Sequence, residues 1–121
     1  MKNDDNFRSP AVDLRFLREA TLGRKDFERE LFEMFFSTSN DNIVKIEKSL
    51  AENDNKIWYS ASHDLKGASA SIGAFPMAKA LEYAHHNFDS PNEKKITMLA
   101  EIKEEFAKAC DFIEKETGKK L

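Results

Sequence analysis

Residues 58–73 run Trp58-Tyr59-Ser60-Ala61-Ser62-His63-Asp64-Leu65-Lys66-Gly67-Ala68-Ser69-Ala70-Ser71-Ile72-Gly73. At about 100° per residue, Trp58, Ala61, Leu65, Ala68 and Ile72 fall on one face. That spacing predicts an amphipathic helix, ended by Gly73 and started by the capping chemistry of Asn53-Asp54-Asn55. His63 lies nearly opposite the apolar stripe, so its imidazole is expected to point away from the core. Tyr59, Ser60, Lys66, Gly67 and Ala70 share its side of the helix.

Working outward, the same helical spacing recurs on both sides. Residues 1–9 are polar and expected to form a flexible N-terminus. Ser9-Pro10 predicts a helix start, with Pro10 in the first turn and a short stripe of Val12, Phe16, Leu17 and Ala20 ended at Leu22-Gly23. A second helix is expected from about Asp26, whose carboxylate would cap it. Its stripe is Phe27, Leu31, Met34, Phe35, Thr38, Ile43, Ile46 and Leu50. The polar run from Ser37 to Asn42 weakens that helix without being expected to end it. After Gly73, Pro76 opens a fourth helix carrying Met77, Leu81, Ala84 and Phe88. Ser90-Pro91-Asn92-Glu93 resembles a capping box for a fifth helix, with the stripe Ile96, Leu99, Ile102, Phe106, Cys110 and Ile113. The expected fold is all-α, an antiparallel four-helix bundle with an additional short N-terminal helix.

Composition narrows the function. A chain of 121 residues predicts one domain, and only 4 glycines and 3 prolines favour helices over a turn-rich β fold. The net charge of -3 argues against nucleic acid as the partner. Cys110 is the only cysteine, so no internal disulfide or cysteine-built zinc site is expected. No apolar run is long enough for a membrane span, and the N-terminus lacks a signal-peptide core. A cytoplasmic protein, monomeric and without membrane or metal, is the expectation.

An exposed histidine with a cation one turn later and a glycine beside it fits phosphoryl transfer. Neutral imidazole is a good nucleophile near neutral pH, and an exposed ring keeps a nitrogen for in-line attack. Lys66 can offset charge on phosphoryl oxygens. Gly67 costs about 1 kcal/mol relative to alanine inside a helix, and what it offers in return is room for the ring and for an approaching partner. Ala68, Ser69, Ala70 and Ser71 continue that low surface as a platform for chemistry shared across a protein–protein interface.

The run from His63 to Ala74 resembles the signature of histidine-phosphotransfer (HPt) domains: His-x-Leu-Lys-Gly, small residues, an aliphatic, then Gly. The likeness extends from about Asp13 to the last helix and places the domain at residues 10–121. It implies that His63 is the phosphoacceptor, through Nε2, that Lys66 assists with charge, and that Gly67 gives access. It also implies that a receiver domain, of a response regulator or a hybrid sensor kinase, docks around Tyr59, Ser60, Ala70 and Ser71. The Mg²⁺ needed for transfer is then the receiver's, and this chain has no cofactor and no kinase activity of its own.

Other readings compete. The N-terminal domain of a chemotaxis-type histidine kinase carries a similar histidine, but this chain has no glycine-rich nucleotide loop. The initial methionine and the fifth helix suggest a free-standing protein, with an excised domain of a hybrid kinase left open. A metal-binding bundle would need inward Glu-x-x-His pairs, which do not occur among three histidines. A helical adaptor would not need a histidine opposite its core stripe. His85 and His86 point about 100° apart and read as partners of a helix C-terminal dipole, and Cys110 reads as core.

Overall fold

The computed structural model describes residues 10–118. Five helices follow one another: α1 (Leu14–Ala20), α2 (Lys25–Glu52), α3 (Asn55–Ser71), α4 (Phe75–His86) and α5 (Asn92–Thr117). There is no strand among the described residues. Neighbouring long helices are joined by segments of a few residues each, which forces antiparallel packing. Helix α2 packs on α3, α3 on α4, α4 on α5, and α5 returns to α2, closing the four-helix bundle. Inside lie Phe35, Ile46, Trp58, Leu65, Met77, Leu81, Ile102 and Ile113. The all-α bundle with a short extra N-terminal helix is therefore the observed fold. The segment expected to be flexible, residues 1–9, falls outside the described residues.

The histidine helix forms as its sequence dictates. Asp54 caps it, its carboxylate accepting from the amides of Lys56 and Ile57 at 3.1 Å. Trp58, Ala61, Leu65 and Ile72 are buried, and Ala68 is half-buried. Gly73 follows at φ +81°, a left-handed conformation that turns the chain into α4. Ser62 and Ser69, also buried, return their hydroxyls to the Trp58 and Leu65 carbonyls, which lets small polar residues sit inside the bundle.

Elsewhere local details differ from the sequence expectation. Helix α1 starts at Leu14, not at Pro10, because Asp13 is the cap and accepts from the Phe16 amide at 3.1 Å. Helix α2 is continuous through residues 37–42, but Asp26 does not cap it. Arg24 holds the N-cap position, and its guanidinium engages the Asp26 carboxylate at 2.9 Å instead. The buried stripe of α2 is Glu28, Phe32, Phe35, Ser39, Asn42, Ile43, Ile46 and Ser49, while Phe27 and Met34 are exposed. The capping box before α5 does not form. Pro91 itself takes the N-cap position and has no side-chain acceptor to offer. On α5, Ile96 is exposed and Lys95 and Met98 are buried.

Candidate functional site

His63 is exposed near the middle of α3, and its ring makes no hydrogen bond among the described residues. Gly67, one turn on, is equally open: a Cβ built there would meet nothing within 4 Å. Lys66 is half-buried and forms no ion pair among the described residues, so its ammonium is available. Tyr59 is exposed one turn before His63, and Ala70 is half-buried two turns after it. Ser60 and Ser71 flank this line, both exposed, with hydroxyls bonded to the Ile57 carbonyl at 3.3 Å and the Ala68 carbonyl at 2.7 Å. The structure thus brings His63, Lys66, Gly67, Tyr59 and Ala70 onto one convex helical face, with Ser60 and Ser71 at its border.

The floor beside His63 comes from α4. His85 is only 8% exposed, and its ring centroid lies 5.2 Å from that of His63. Tyr59 packs on His85 at 4.1 Å and meets Phe88 edge-on at 5.1 Å. His85 Nδ1 donates to the Tyr59 carbonyl at 3.1 Å. Behind this cluster the Trp58 indole, fully buried, donates from Nε1 to the Ala84 carbonyl at 2.9 Å. Lys95 of α5 caps the Trp58 ring at 4.7 Å and bonds Asn55 Oδ1 at 2.6 Å. Two side-chain bonds from α3 and α4 therefore fix the relative height of the two helices where the histidine sits.

Sequence reasoning treats His85 as a dipole partner at a helix end, and it is indeed in the last turn of α4. Its neighbourhood with His63 escapes that reasoning, which considers one helix at a time. A signal does exist: the antiparallel hairpin turns at Gly73, ten residues after His63 and twelve before His85, so the two positions meet across the hairpin.

The face around His63 is a platform without walls. A cavity of about 330 Å³ lies at the far end of the bundle, lined by Glu28, Phe32, Phe36 and Ile113 among others. Further hollows, of about 650 and 560 Å³, lie by Phe75 and by Tyr83. None of these includes His63. No group of three or more His, Cys, Asp or Glu among the described residues is placed to hold a metal ion. No helix among them is long and apolar enough to cross a membrane.

Comparison with protein families assigns this helical bundle. The Hpt domain family matches residues 30–114, from within α2 to the last turns of α5, and the chain belongs to that family. The protein accordingly has a phosphotransfer role in two-component signalling, as a component of phosphorelays whose partners are receiver domains. No curated protein and no solved structure gives a match.

Proposed function

We propose that His63 accepts a phosphoryl group from the aspartate of one receiver domain and relays it to another. The observation that carries the reading is the open ring of His63 beside the open space over Gly67. In the forward step an imidazole nitrogen attacks phosphorus in line. The P–N bond forms, the P–O bond to the aspartyl carboxylate breaks, and the carboxylate leaves as an anion. The reverse step on a second receiver restores the free imidazole. Lys66 places positive charge near the phosphoryl oxygens.

The receiver brings its own Mg²⁺, and this chain brings a positioned nucleophile and a docking face. Tyr59, Ser60, Ala70 and Ser71 border that face and are assigned to docking. The partners are a hybrid sensor kinase or response regulators, met transiently by a cytoplasmic monomer over an interface at the small end of the usual range. No ATP-dependent phosphorylation by the isolated chain is expected.

The test is transfer from a radiolabelled receiver to the wild-type chain and to His63→Gln, followed by acid and base treatment. Label on the wild type alone, lost in acid and kept in base, is the expected result. Label on the variant would move the site to another residue, and no label from a panel of receivers would favour an adaptor.

A further inference from the structure

We propose that His85 is a positioning residue for His63 and makes the phosphoryl loading of His63 proton-dependent, an inference that rests on His63 being the phosphoacceptor. Three observations converge. The two imidazoles are neighbours, with centroids 5.2 Å apart and planes inclined by 40°. His85 is buried, and the Tyr59 ring packs on it at 4.1 Å, so it has little freedom to turn away. Its one hydrogen bond has a fixed polarity: the Tyr59 carbonyl can only accept, so Nδ1 carries the proton. The neutral ring then keeps Nε2 unprotonated, as the one site where His85 can take up a second proton.

The acceptor in that bond matters as much as the donor. In an α-helix the Tyr59 carbonyl is the one that receives the backbone amide of His63, four residues on. The Ser62 hydroxyl also lies 3.1 Å from this oxygen, though its shorter bond, 2.7 Å, goes to the Trp58 carbonyl. His85 is thus fastened to the helical turn that carries His63, and its ring forms the surface against which the His63 ring rests. Positioning follows from that fastening.

Proton dependence follows from charge. A phosphoryl group on His63 brings negative charge next to His85 and favours the imidazolium form of His85. By reciprocity, a protonated His85 favours the loaded state of His63. The gain in loading is therefore greater at low pH than at high pH. The other charged or titratable groups around His85 are Tyr59 and, one turn beyond His63, Lys66 on α3, with His86 and Glu82 on α4. Asp89 follows α4, and Lys95 of α5 lies behind Trp58. His85 is the member of this set that combines burial, a locked tautomer and direct ring contact with His63.

The experiment uses the full chain with ¹⁵N-labelled histidine rings, loaded with phosphoramidate as a chemical donor, beside His63→Gln and His85→Gln. The amide of His85→Gln can still donate to the Tyr59 carbonyl but cannot take up a proton. In the unloaded wild type, the His85 ring nitrogens should report the Nδ1–H tautomer, and the His85 titration midpoint should move to higher pH on loading. The equilibrium with one labelled receiver should shift toward the wild-type chain as pH falls, by roughly fivefold relative to His85→Gln, for a screened charge pair at this range. If the His85 midpoint stays put on loading, or if wild type and His85→Gln share one pH profile while label is confined to His63, the proposal is overturned alone. Label retained by His63→Gln overturns the phosphoacceptor reading and this proposal with it. A His85→Gln variant that unfolds leaves the wild-type titration with and without loading as the deciding measurement.

Discussion

The amide of Asp13 donates to the carbonyl of Gly73 at 2.8 Å, and a Cβ at Gly73 would stand 2.9 Å from the Asp13 carbonyl oxygen. The short N-terminal helix is thereby pinned to the turn that ends the histidine helix. The Phe16 ring closes the same contact, 3.2 Å from the built Cβ and edge-on to Phe75 at 5.0 Å between centroids. Gly73 also has φ +81°, so a side chain there meets both backbone strain and a backbone obstacle. Gly73→Ala is expected to cost about 2–4 kcal/mol of stability, measured by urea denaturation. A loss below about 0.5 kcal/mol would mean that α1 is readily displaced from this turn.

Gly67 poses the opposite case. It lies inside α3 at an ordinary helical conformation, with nothing near a built Cβ. Gly67→Ala should therefore stabilise the fold by about 0.5–1 kcal/mol. If open space beside His63 is what a partner needs, the same variant will accept label from a receiver more slowly. Thermal denaturation and a transfer time course on one preparation separate the two effects, and a variant both more stable and equally fast would remove the access role from Gly67.

Lys95 is buried, and desolvation lowers its pKa from the ordinary 10.5, opposed by the nearby charge of Asp89. The unfolded chain therefore holds this proton more tightly than the folded one. Its contribution to stability rises with pH from the lowered folded value toward 10.5. Lys95→Met replaces the buried charge with an apolar side chain of similar length and should stabilise the protein by roughly 1 kcal/mol at neutral pH. That advantage should shrink as the solution becomes alkaline. Denaturation at two pH values reads both effects. A clear loss of stability at neutral pH would show that the Asn55 bond and the Trp58 contact outweigh the cost of burying the charge.

Burial, with Glu114 nearby, pushes the Cys110 thiol up to about 11. At pH 8 the native protein should react with a thiol-exchange reagent roughly a hundredfold more slowly than the unfolded chain. Stopped-flow absorbance with and without denaturant makes the comparison. Equal rates would mean that α5 opens locally around Cys110 faster than the reagent attacks.

The histidine helix was legible in the sequence because its apolar residues alone mark the buried face. Trp58, Leu65 and Ile72 leave no other choice, and the opposite side then holds His63, Lys66 and Gly67. Helix α2 was less legible because it buries Glu28, Ser39, Asn42 and Ser49 while exposing Phe27 and Met34. Hydrophobicity then points to a stripe displaced from the true one. Glu28 Oε2, Ser39 Oγ and Asn42 Oδ1 are buried without a hydrogen-bond partner among the described residues. The start of α5 misled because a proline can stand at the N-cap and leave the adjacent serine without a role there. His85 was missed for a different reason. Its place depends on how α3 and α4 lie against each other, and no period within one helix encodes that.

The chain contains a single tryptophan, and it is fully buried at the seam between the two helices that form the site. Its indole nitrogen bonds to the carbonyl of the residue that precedes His85. The protein therefore carries an intrinsic optical reporter one layer beneath the face that bears His63. A partner that settles on the surface without disturbing the helices should leave the emission spectrum of Trp58 unchanged, whereas one that slides α3 along α4 should shift it to the red. Unlabelled fluorescence can thus distinguish rigid association from a rearrangement of the scaffold.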